Sequence, residues 1–291
     1  MIAKCFYSLG YFRGSSRIET KISKFLPLIL GRIMHPLGFS WMISSRDALN
    51  TYLSSCEAFT TKLVLSRATQ IDSFICVGAN RGWYPLAVGA MNKTLKIIAF
   101  ECNTSIYNEL NKNVNENSNQ SELFKFAISD HVATADLYMP IGGNEGMATL
   151  HPIDSQIRQA LVIEKVNLTT LDVCLVDKLT TLGRTLILMD VEGSEMLALK
   201  GALKLIENCS PDLILEINDE LLREAGYSAN ELLQYLREYD YEVYWIDERG
   251  ELLGVGKNNE LPHIAILPPH TGANYLFVKK NVTWVKKFLR S

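Results

Sequence analysis

The sequence predicts an α/β fold built on a doubly wound, mostly parallel sheet. Three observations support this prediction: short apolar runs typical of buried strands, helical segments of similar length between them, and polar residues where the apolar runs end. Strands that alternate with helices form parallel sheets covered on both faces. Ligands of such sheets bind beyond the carboxyl ends of the strands, so these polar residues are the candidates for function.

The regular pattern begins at about residue 71. The predicted strands are short apolar runs at 71–77, 95–100, 123–128, 185–189, 213–217, 241–246 and 275–278. The predicted helices lie at 83–91, 105–117, 170–179, 195–206 and 230–238, and Thr104 is a predicted N-cap. The segment from 130 to 183 is less regular.

Residues 1–70 form a predicted N-terminal helical extension, and residues 71–291 form the predicted cofactor-binding domain. The first 32 positions carry one acidic residue, Glu19, against six basic residues: Lys4, Arg13, Arg17, Lys21, Lys24 and Arg32. Two hypotheses fit this segment. It could be a cap that packs on the domain and shapes the substrate pocket, or a basic, apolar segment that contacts a membrane surface peripherally.

Composition and charge narrow the class of protein. The chain has 291 residues, with 47% hydrophobic and 21% charged residues, as in an ordinary globular protein. Its net charge of −3 gives no general attraction to nucleic acid. The six cysteines form no CxxC pair or Cys/His cluster, which argues against a zinc site and favours a reducing compartment.

Targeting signals are weak. The first residues contain no uninterrupted apolar run of the kind a signal peptide needs. The most apolar stretch, residues 25–43, is broken by Arg32, His35 and Pro36, which argues against a membrane-spanning helix. We therefore expect a cytoplasmic protein.

A glycine-rich turn follows the first predicted strand and precedes a helix. Gly78, Ala79, Asn80 and Gly82 belong to it, and glycines there let a ligand approach the backbone closely. Dinucleotide-binding turns need GxGxxG, whereas this turn reads GxxxG. Glu101 ends the second strand, where a carboxylate can accept the ribose hydroxyls of a nucleotide or of S-adenosylmethionine. The alternative is that Glu101 is only a solvated charge.

A second group of acidic residues follows the fourth predicted strand. Asp190 and Glu192 lie at the strand end, and Glu195 falls in the first turn of a helix, where a negative charge is favoured. Glu216 ends the neighbouring strand. Asp190, Glu192 and Glu216 are therefore the candidate catalytic residues: such a pair could act as a general base for a hydroxyl or hold a divalent cation. A salt bridge or hydrogen bonds to loop amides would be the structural alternative.

His151 is a weaker candidate, because it lies in the irregular segment near the predicted site. It could act as a base, but a histidine on a surface loop would have the same sequence signature. No nucleophile elbow or phosphate-binding loop occurs in the sequence.

Together these motifs resemble the FkbM-type methyltransferase family. The matching stretches are CVGANRG at 76–82, AFE at 99–101, FAISD at 126–130, TLD at 170–172, LMDVEGSE at 188–195 and LKGA at 199–202. The resemblance covers residues 71–247 and leaves residues 1–70 unmatched.

The resemblance implies a Rossmann-like class I methyltransferase with a seven-stranded sheet. It implies S-adenosylmethionine across residues 78–82, its ribose on Glu101 and its adenine near Ala127 and Ile128. The implied reaction is O-methylation of a hydroxyl on a sugar, polysaccharide or secondary metabolite, driven largely by holding the acceptor oxygen in line.

Cys76 departs from the family, which usually has an aspartate at this position. The loss of its charge-assisted hydrogen bonds would cost about 1.5–3 kcal/mol of cofactor affinity unless another acid compensates. Two alternatives therefore stand beside the methyltransferase hypothesis. One is a catalytically degenerate binding module on the same fold, and the other, disfavoured by the missing GxGxxG, is a nicotinamide-dependent oxidoreductase or epimerase.

Overall fold

The structure is a computed structural model that describes residues 30–53, 57–140, 147–151, 161–256, 261–265 and 271–289. Most of the basic segment considered for membrane contact lies outside these residues. Of its basic side chains, Arg32 is described, and it pairs with Glu116 on the body of the protein.

Thirteen strands occur in the described part of the chain. In order they are β1 Gly31–Met34, β2 Ser40–Ile43, β3 Ser73–Val77, β4 Lys96–Phe100, β5 Glu122–Phe124, β6 Ala127–Ile128, β7 Ala133–Pro140, β8 Leu161–Thr169, β9 Thr185–Met189, β10 Asp212–Ile217, β11 Tyr241–Asp247, β12 Glu251–Gly254 and β13 Ala273–Lys279.

The same residues contain nine α-helices. They are α1 Arg46–Leu53, α2 Ala58–Ala68, α3 Trp83–Met91, α4 Thr104–Glu116, α5 Leu171–Cys174, α6 Glu195–Lys200, α7 Leu203–Cys209, α8 Asp219–Glu224 and α9 Ala229–Glu238. Within the described ranges, no helix combines the length and apolar character that crossing a bilayer requires.

The central sheet has the order β12-β11-β13-β10-β9-β3-β4-β5. The five strands from β10 to β5 are parallel, and β13, β11 and β12 add three antiparallel pairings. The predicted doubly wound, mostly parallel fold is confirmed, but the sheet has eight strands rather than seven, because β12 turns back on β11 through residues 248–250. The strand order reverses between β3 and β9, which is where a ligand site is expected.

The prediction of one strand over 123–128 is wrong. The chain leaves the central sheet after Phe124, and Ala127 and Ile128 pair instead with Leu168 and Thr169 of β8. A separate three-stranded sheet with the order β6-β8-β7 results. It occupies much of the segment that had no clear sequence pattern, and it covers the cleft described below from the side of β4 and β5.

The description of residues 1–70 as helical is wrong for its first described part. β1 and β2 form an antiparallel hairpin, whose turn is closed by the His35 N–H donating to the Phe39 carbonyl at 2.7 Å. Side chains of β2 are buried alternately, with Trp41 and Ile43 inside. This period of two is that of a strand, and the two helices α1 and α2 follow only after it.

Two predicted helices differ from the structure. The one expected over 195–206 breaks into α6 and α7 at Gly201, where a Cβ would lie 2.0 Å from the Ser129 carbonyl oxygen. The one expected over 170–179 is α5 followed by turns and a 3₁₀ helix at Leu179–Thr181.

The N-cap of α4 is one residue earlier than predicted. The side chain of Asn103, not that of Thr104, accepts a hydrogen bond from the Ile106 amide at 3.1 Å. Because Asn103 directly follows the strand-end residues of β4, this cap fixes the chain next to Glu101.

Each face of the central sheet is covered by its own apolar cluster. One cluster joins the sheet to α6, α7 and α9. The other joins it to α2, α3 and the N-terminal hairpin, with Trp41 fully buried beneath Trp83. The described part of residues 1–70 therefore packs directly on the sheet, beside the edge where the parallel strands end.

Candidate active site

A cleft opens at the carboxyl ends of β3, β4 and β9. Its walls combine polar residues from the strand ends with apolar residues from the small sheet. They are Val77, Gly78, Asn80, Phe100, Glu101, Cys102, Ile106, Phe126, Ala127, Ile128, Leu137, Ala148, Leu150, Asp190, Val191, Glu192 and Ser194.

The turn after β3 has a conformation that requires glycine. Gly78 has φ of +79°, and a Cβ on it would lie 1.9 Å from the Asp190 carbonyl oxygen. Its amide and that of Ala79 donate to the Phe100 carbonyl at 3.0 and 2.8 Å. The turn is thereby held against both neighbouring strands, and its backbone forms the floor of the cleft.

Gly82 has a different position from the other turn residues. It caps α3 with φ of +94°, and a Cβ would lie 2.7 Å from Leu110 Cδ1. Gly82 therefore packs against Leu110 of α4 and does not line the cleft. Ala79 does not line it either, because it faces the second cavity described below.

Glu101 stands on the cleft wall with its carboxylate fixed by backbone amides. Oε2 accepts from the Asn80 N–H at 3.0 Å and Oε1 from the Asn103 N–H at 2.9 Å. Burial raises the pKa of Glu101, while these amide hydrogen bonds oppose the rise. The carboxylate is thus held beside the apolar end of the cleft, where Ala127 and Ile128 lie.

Asp190 and Glu216 meet at the ends of the neighbouring strands β9 and β10. The two carboxyl groups share a hydrogen bond. Burial raises the pKa of Asp190 to about 6, and the negative charge of Asp190, together with burial, raises the pKa of Glu216 well above its usual value. Two buried carboxyls in contact cannot both ionise easily. Glu216 therefore retains its proton and donates a hydrogen bond to the Asp190 carboxylate.

The position of Glu216 depends on a glycine across the sheet. A Cβ on Gly272 would lie 2.6 Å from Glu216 Oε1, so the carboxyl lies against bare backbone. Asn274, two residues later, is the cross-strand partner of Glu216 on β13.

The acidic turn after β9 is stabilised by hydrogen bonds from its own backbone amides to a side chain of the following helix. Glu195 is 2% exposed, and its Oε1 accepts from the Val191 and Gly193 amides at 3.2 and 3.3 Å. Glu192 lines the cleft with φ of +48°, and burial followed by the charge of Asp190 raises its pKa to about 8. Glu195 therefore organises the turn, whereas Glu192 faces the cleft.

Residues 147–151 cover one side of the cleft. Ala148 and Leu150 line it, and the Thr149 hydroxyl donates to the Glu192 carbonyl at 2.8 Å. His151 is half-buried next to this segment, and burial lowers its pKa. It is absent from the lining of the cleft, so a role as base has no geometric support.

A second cavity lies on the other side of the glycine turn. Gly78, Asn80 and Asp190 are common to both cavities. The remaining lining residues come from the N-terminal segment, the start of α3, and strands β9 and β13. They are Trp41, Thr51, Glu57, Ala79, Arg81, Trp83, Tyr84, Leu188, Met189 and Asn274.

The structure brings most of the candidate site residues together. Gly78, Asn80, Glu101, Ala127, Asp190 and Glu192 line one cleft, and Glu216 contacts it through Asp190. Sequence reasoning missed Glu57, Tyr84 and Asn274: Glu57 and Asn274 lie far from every motif, and Tyr84 lies two residues after the glycine turn, on α3. Within the described ranges, no three His, Cys, Asp or Glu side chains are arranged to hold a metal ion.

The fold and this site define the class of protein. A doubly wound sheet with a glycine turn after β3, an acid at the end of β4 and a cleft between them is a class I methyltransferase-like α/β fold. The chain belongs to the FkbM methyltransferase family, because the model of the methyltransferase FkbM domain matches residues 77–243.

Several solved methyltransferases are similar in structure. An FkbM methyltransferase from Methylobacillus flagellatus KT has 14% identity and a TM-score of 0.43, over 71% of this chain and 43% of that one. The chain thus spans less than half the length of that protein. A SAM-dependent methyltransferase from Aquifex aeolicus has 12% identity and a TM-score of 0.38, over 76% and 89% of the two chains.

An rRNA methylase from Streptococcus thermophilus has 10% identity and a TM-score of 0.40, over 77% of this chain and 96% of that one. None of the curated protein sequences compared with the chain matches it.

Proposed function

We propose that the protein is an S-adenosylmethionine-dependent O-methyltransferase that acts on a hydroxyl of a sugar, polysaccharide or secondary metabolite. One observation carries the proposal: Asp190 lines both the cleft and the second cavity, and its carboxylate accepts a hydrogen bond from Glu216. A base at the boundary of two adjoining sites suits transfer between a donor in one and an acceptor in the other.

The residues of the cleft fit the proposed cofactor. Gly78 lines the cleft, where a methionine moiety would approach the turn, and Glu101 offers carboxylate oxygens for ribose hydroxyls. Ala127 and Ile128 supply an apolar surface for adenine. The Ser194 hydroxyl lines the cleft, is buried, and has no hydrogen-bond partner among the described residues, so it is available to a bound polar group.

The bound cofactor supplies a methyl group on a positively charged sulfur, and the acceptor oxygen that gains it must lose its proton. Asp190 is the proposed acceptor of that proton. A catalytic group works best when its pKa lies near the working pH, and burial brings the pKa of Asp190 to about 6. The pKa of Glu216 is higher, so Glu216 stays protonated and orients Asp190 through their hydrogen bond.

The negative charge of the site also suits a sulfonium ligand. Asp190, Glu192 and Glu101 face the same cleft, and in each of them burial raises the pKa. A bound cation would stabilise the ionised carboxylates and offset part of the cost of burying them. This electrostatic arrangement would attract a cationic donor more strongly than its neutral product.

The test is calorimetric titration of the purified protein with S-adenosylmethionine and with S-adenosylhomocysteine. We expect binding of both at micromolar concentrations, and mass spectrometry of the purified protein is expected to detect co-purified S-adenosylhomocysteine. An absence of heat with both ligands would contradict the proposal. Binding of both ligands, combined with no transfer of labelled methyl to any hydroxylated acceptor, would favour a degenerate binding module instead.

A further inference from the structure

We propose that the second cavity binds the methyl acceptor, that the acceptor is an uncharged, hydroxyl-rich ring of the neutral glycoside type, and that Glu57 is one of the residues that select it. This inference rests on the proposed function and extends it to the substrate.

The position of the cavity supports this assignment. It adjoins the cofactor cleft across Gly78 and Asn80, and Asp190 lines both. An acceptor in the second cavity would therefore meet the proposed base at the boundary that faces the donor.

Glu57 has an unusual role for its place in the chain. It occupies the N-cap position of α2, but its side chain makes no capping hydrogen bond. The cap comes instead from Glu248, whose carboxylate accepts from the Phe59 amide at 2.6 Å and the Thr60 amide at 3.3 Å. The Glu57 carboxylate is thus free of the local role that its position would give it, and it lines the cavity.

The Glu57 carboxylate is held in place by neutral donors. The Tyr84 hydroxyl donates to Oε2 at 2.7 Å, and the Asn274 amide donates to Oε1 at 3.2 Å. A carboxylate accepts several hydrogen bonds, so these two contacts leave capacity for a ligand hydroxyl. Asn274 is also the cross-strand neighbour of Glu216, so the strand register places Glu57's amide donor beside the Asp190–Glu216 pair.

The charge of the cavity favours an uncharged acceptor over an anionic one. Glu57 and Asp190 line it, and the one cationic residue of its lining, Arg81, is already paired. Its Nε donates to Glu109 at 3.0 Å and its Nη1 to the Asn80 side chain at 3.4 Å. A phosphate or carboxylate on the acceptor would face like charges, which is unfavourable in a partly buried site.

The remaining wall is aromatic. Trp41, Trp83 and Tyr84 line the cavity, and Trp41 is held by its indole N–H, which donates to the Ala48 carbonyl at 2.9 Å. A sugar ring has an apolar C–H face and a polar hydroxyl rim. Aromatic rings and hydroxyl-accepting carboxylate oxygens in the same lining match these two features.

The test is ligand-observed saturation-transfer NMR on the full-length protein, with and without S-adenosylhomocysteine. The probes are methyl glycosides of neutral hexoses, of 6-deoxyhexoses and of uronic acids. We expect signals from neutral glycosides and at least tenfold weaker binding of the uronic acids. Glu57→Gln should weaken neutral glycoside binding at least fivefold, and Thr51→Phe, which adds a ring to the cavity wall, should abolish it.

The controls separate the outcomes. Glu122→Gln alters a residue that pairs with Lys178 at the opposite edge of the sheet, and it should leave glycoside binding unchanged. Thermal unfolding verifies that each variant folds. The inference is overturned if no neutral glycoside binds, if uronic acids bind equally well, or if both cavity variants bind like the parent protein. Calorimetry of S-adenosylhomocysteine, run on the same samples, reports independently on the proposed function.

Discussion

The two cavities that meet at Asp190 are built in different ways. The cofactor cleft takes its lining from residues 77–194, which lie within the stretch matched by the family model. The second cavity adds Trp41 and Glu57 from before that stretch and Asn274 from after it. The proposed donor site thus lies within the stretch that the family model matches, whereas the proposed acceptor site also uses residues outside it.

The largest expected effect is at Asp190, the side chain common to both sites. Asp190→Asn removes the proposed base, and we expect transfer of labelled methyl from S-adenosylmethionine to fall by roughly 10²–10⁴-fold. Cofactor affinity should change only a few-fold, as measured by calorimetry. Asp240→Asn, at an exposed residue paired with Lys280, is the control. If cofactor affinity and methyl transfer fall by the same factor, Asp190 acts in cofactor binding and not as the base.

Glu101 and Glu57 distinguish the two sites directly. Glu101→Ala removes a carboxylate proposed to accept the ribose hydroxyls, so affinity for S-adenosylhomocysteine should fall about 10–100-fold, which corresponds to about 1.5–3 kcal/mol. Glu57→Gln should leave this affinity within about twofold, because Glu57 lines only the second cavity. Equal losses in the two variants, measured by titration calorimetry, would mean that the cavities are one site.

The same contrast explains how much could be predicted from the sequence. The parallel sheet, the glycine turn, and the acids at the ends of β4, β9 and β10 follow from local rules: an apolar run buries a strand, and its carboxyl end meets the ligand. Those rules place Gly78, Glu101 and Asp190 correctly on one edge, although their roles stay predictions.

The second cavity depends on long-range packing that local rules do not contain. Glu57 reaches the site only because Glu248, almost two hundred positions away, caps α2 in its place. The hairpin that carries Trp41 was missed because its apolar residues lie within a longer apolar stretch interrupted by His35 and Pro36. β5 and β6 are separate strands because β5 pairs with β4 and β6 pairs with β8. For the α2 cap and for β6, the deciding contact is between residues far apart in sequence.

A smaller effect tests how much the buried carboxyl of Glu192 lowers the free energy of unfolding. Burial raises the pKa of Glu192 from 4.5 to about 8 in the folded protein, so between these values the folded state holds the proton that the unfolded state releases. The free energy of unfolding should therefore fall as the pH rises through this window. Glu192→Gln should flatten the dependence and raise the free energy of unfolding by about 1–2 kcal/mol at pH 8.

Urea unfolding at several pH values measures this effect. Glu207→Gln, at an exposed position on α7, is the matched control and should leave the slope unchanged. If Glu192→Gln lowers stability instead, the carboxylate is a structural support of the turn, and the cleft carries no strain that a ligand could relieve.

The smallest effect concerns Cys76, which stands where the family usually has an aspartate. The Cys76 side chain is 1% exposed, and burial, followed by the charges of Asp190, Glu101 and Glu57, raises the pKa of its thiol. A carboxyl at position 76 would be repelled by the carboxylate of Glu57, which lies within residues 30–70. Cys76→Asp should therefore lower the free energy of unfolding, and by about 1 kcal/mol less when Glu57→Gln is also present.

Urea unfolding of the parent protein, the two single variants and the double variant measures this coupling, with Cys76→Ser as the uncharged control. Zero coupling would mean that Glu57 and a carboxyl at position 76 do not repel each other, and that the second cavity is electrostatically independent of the family motif beside it.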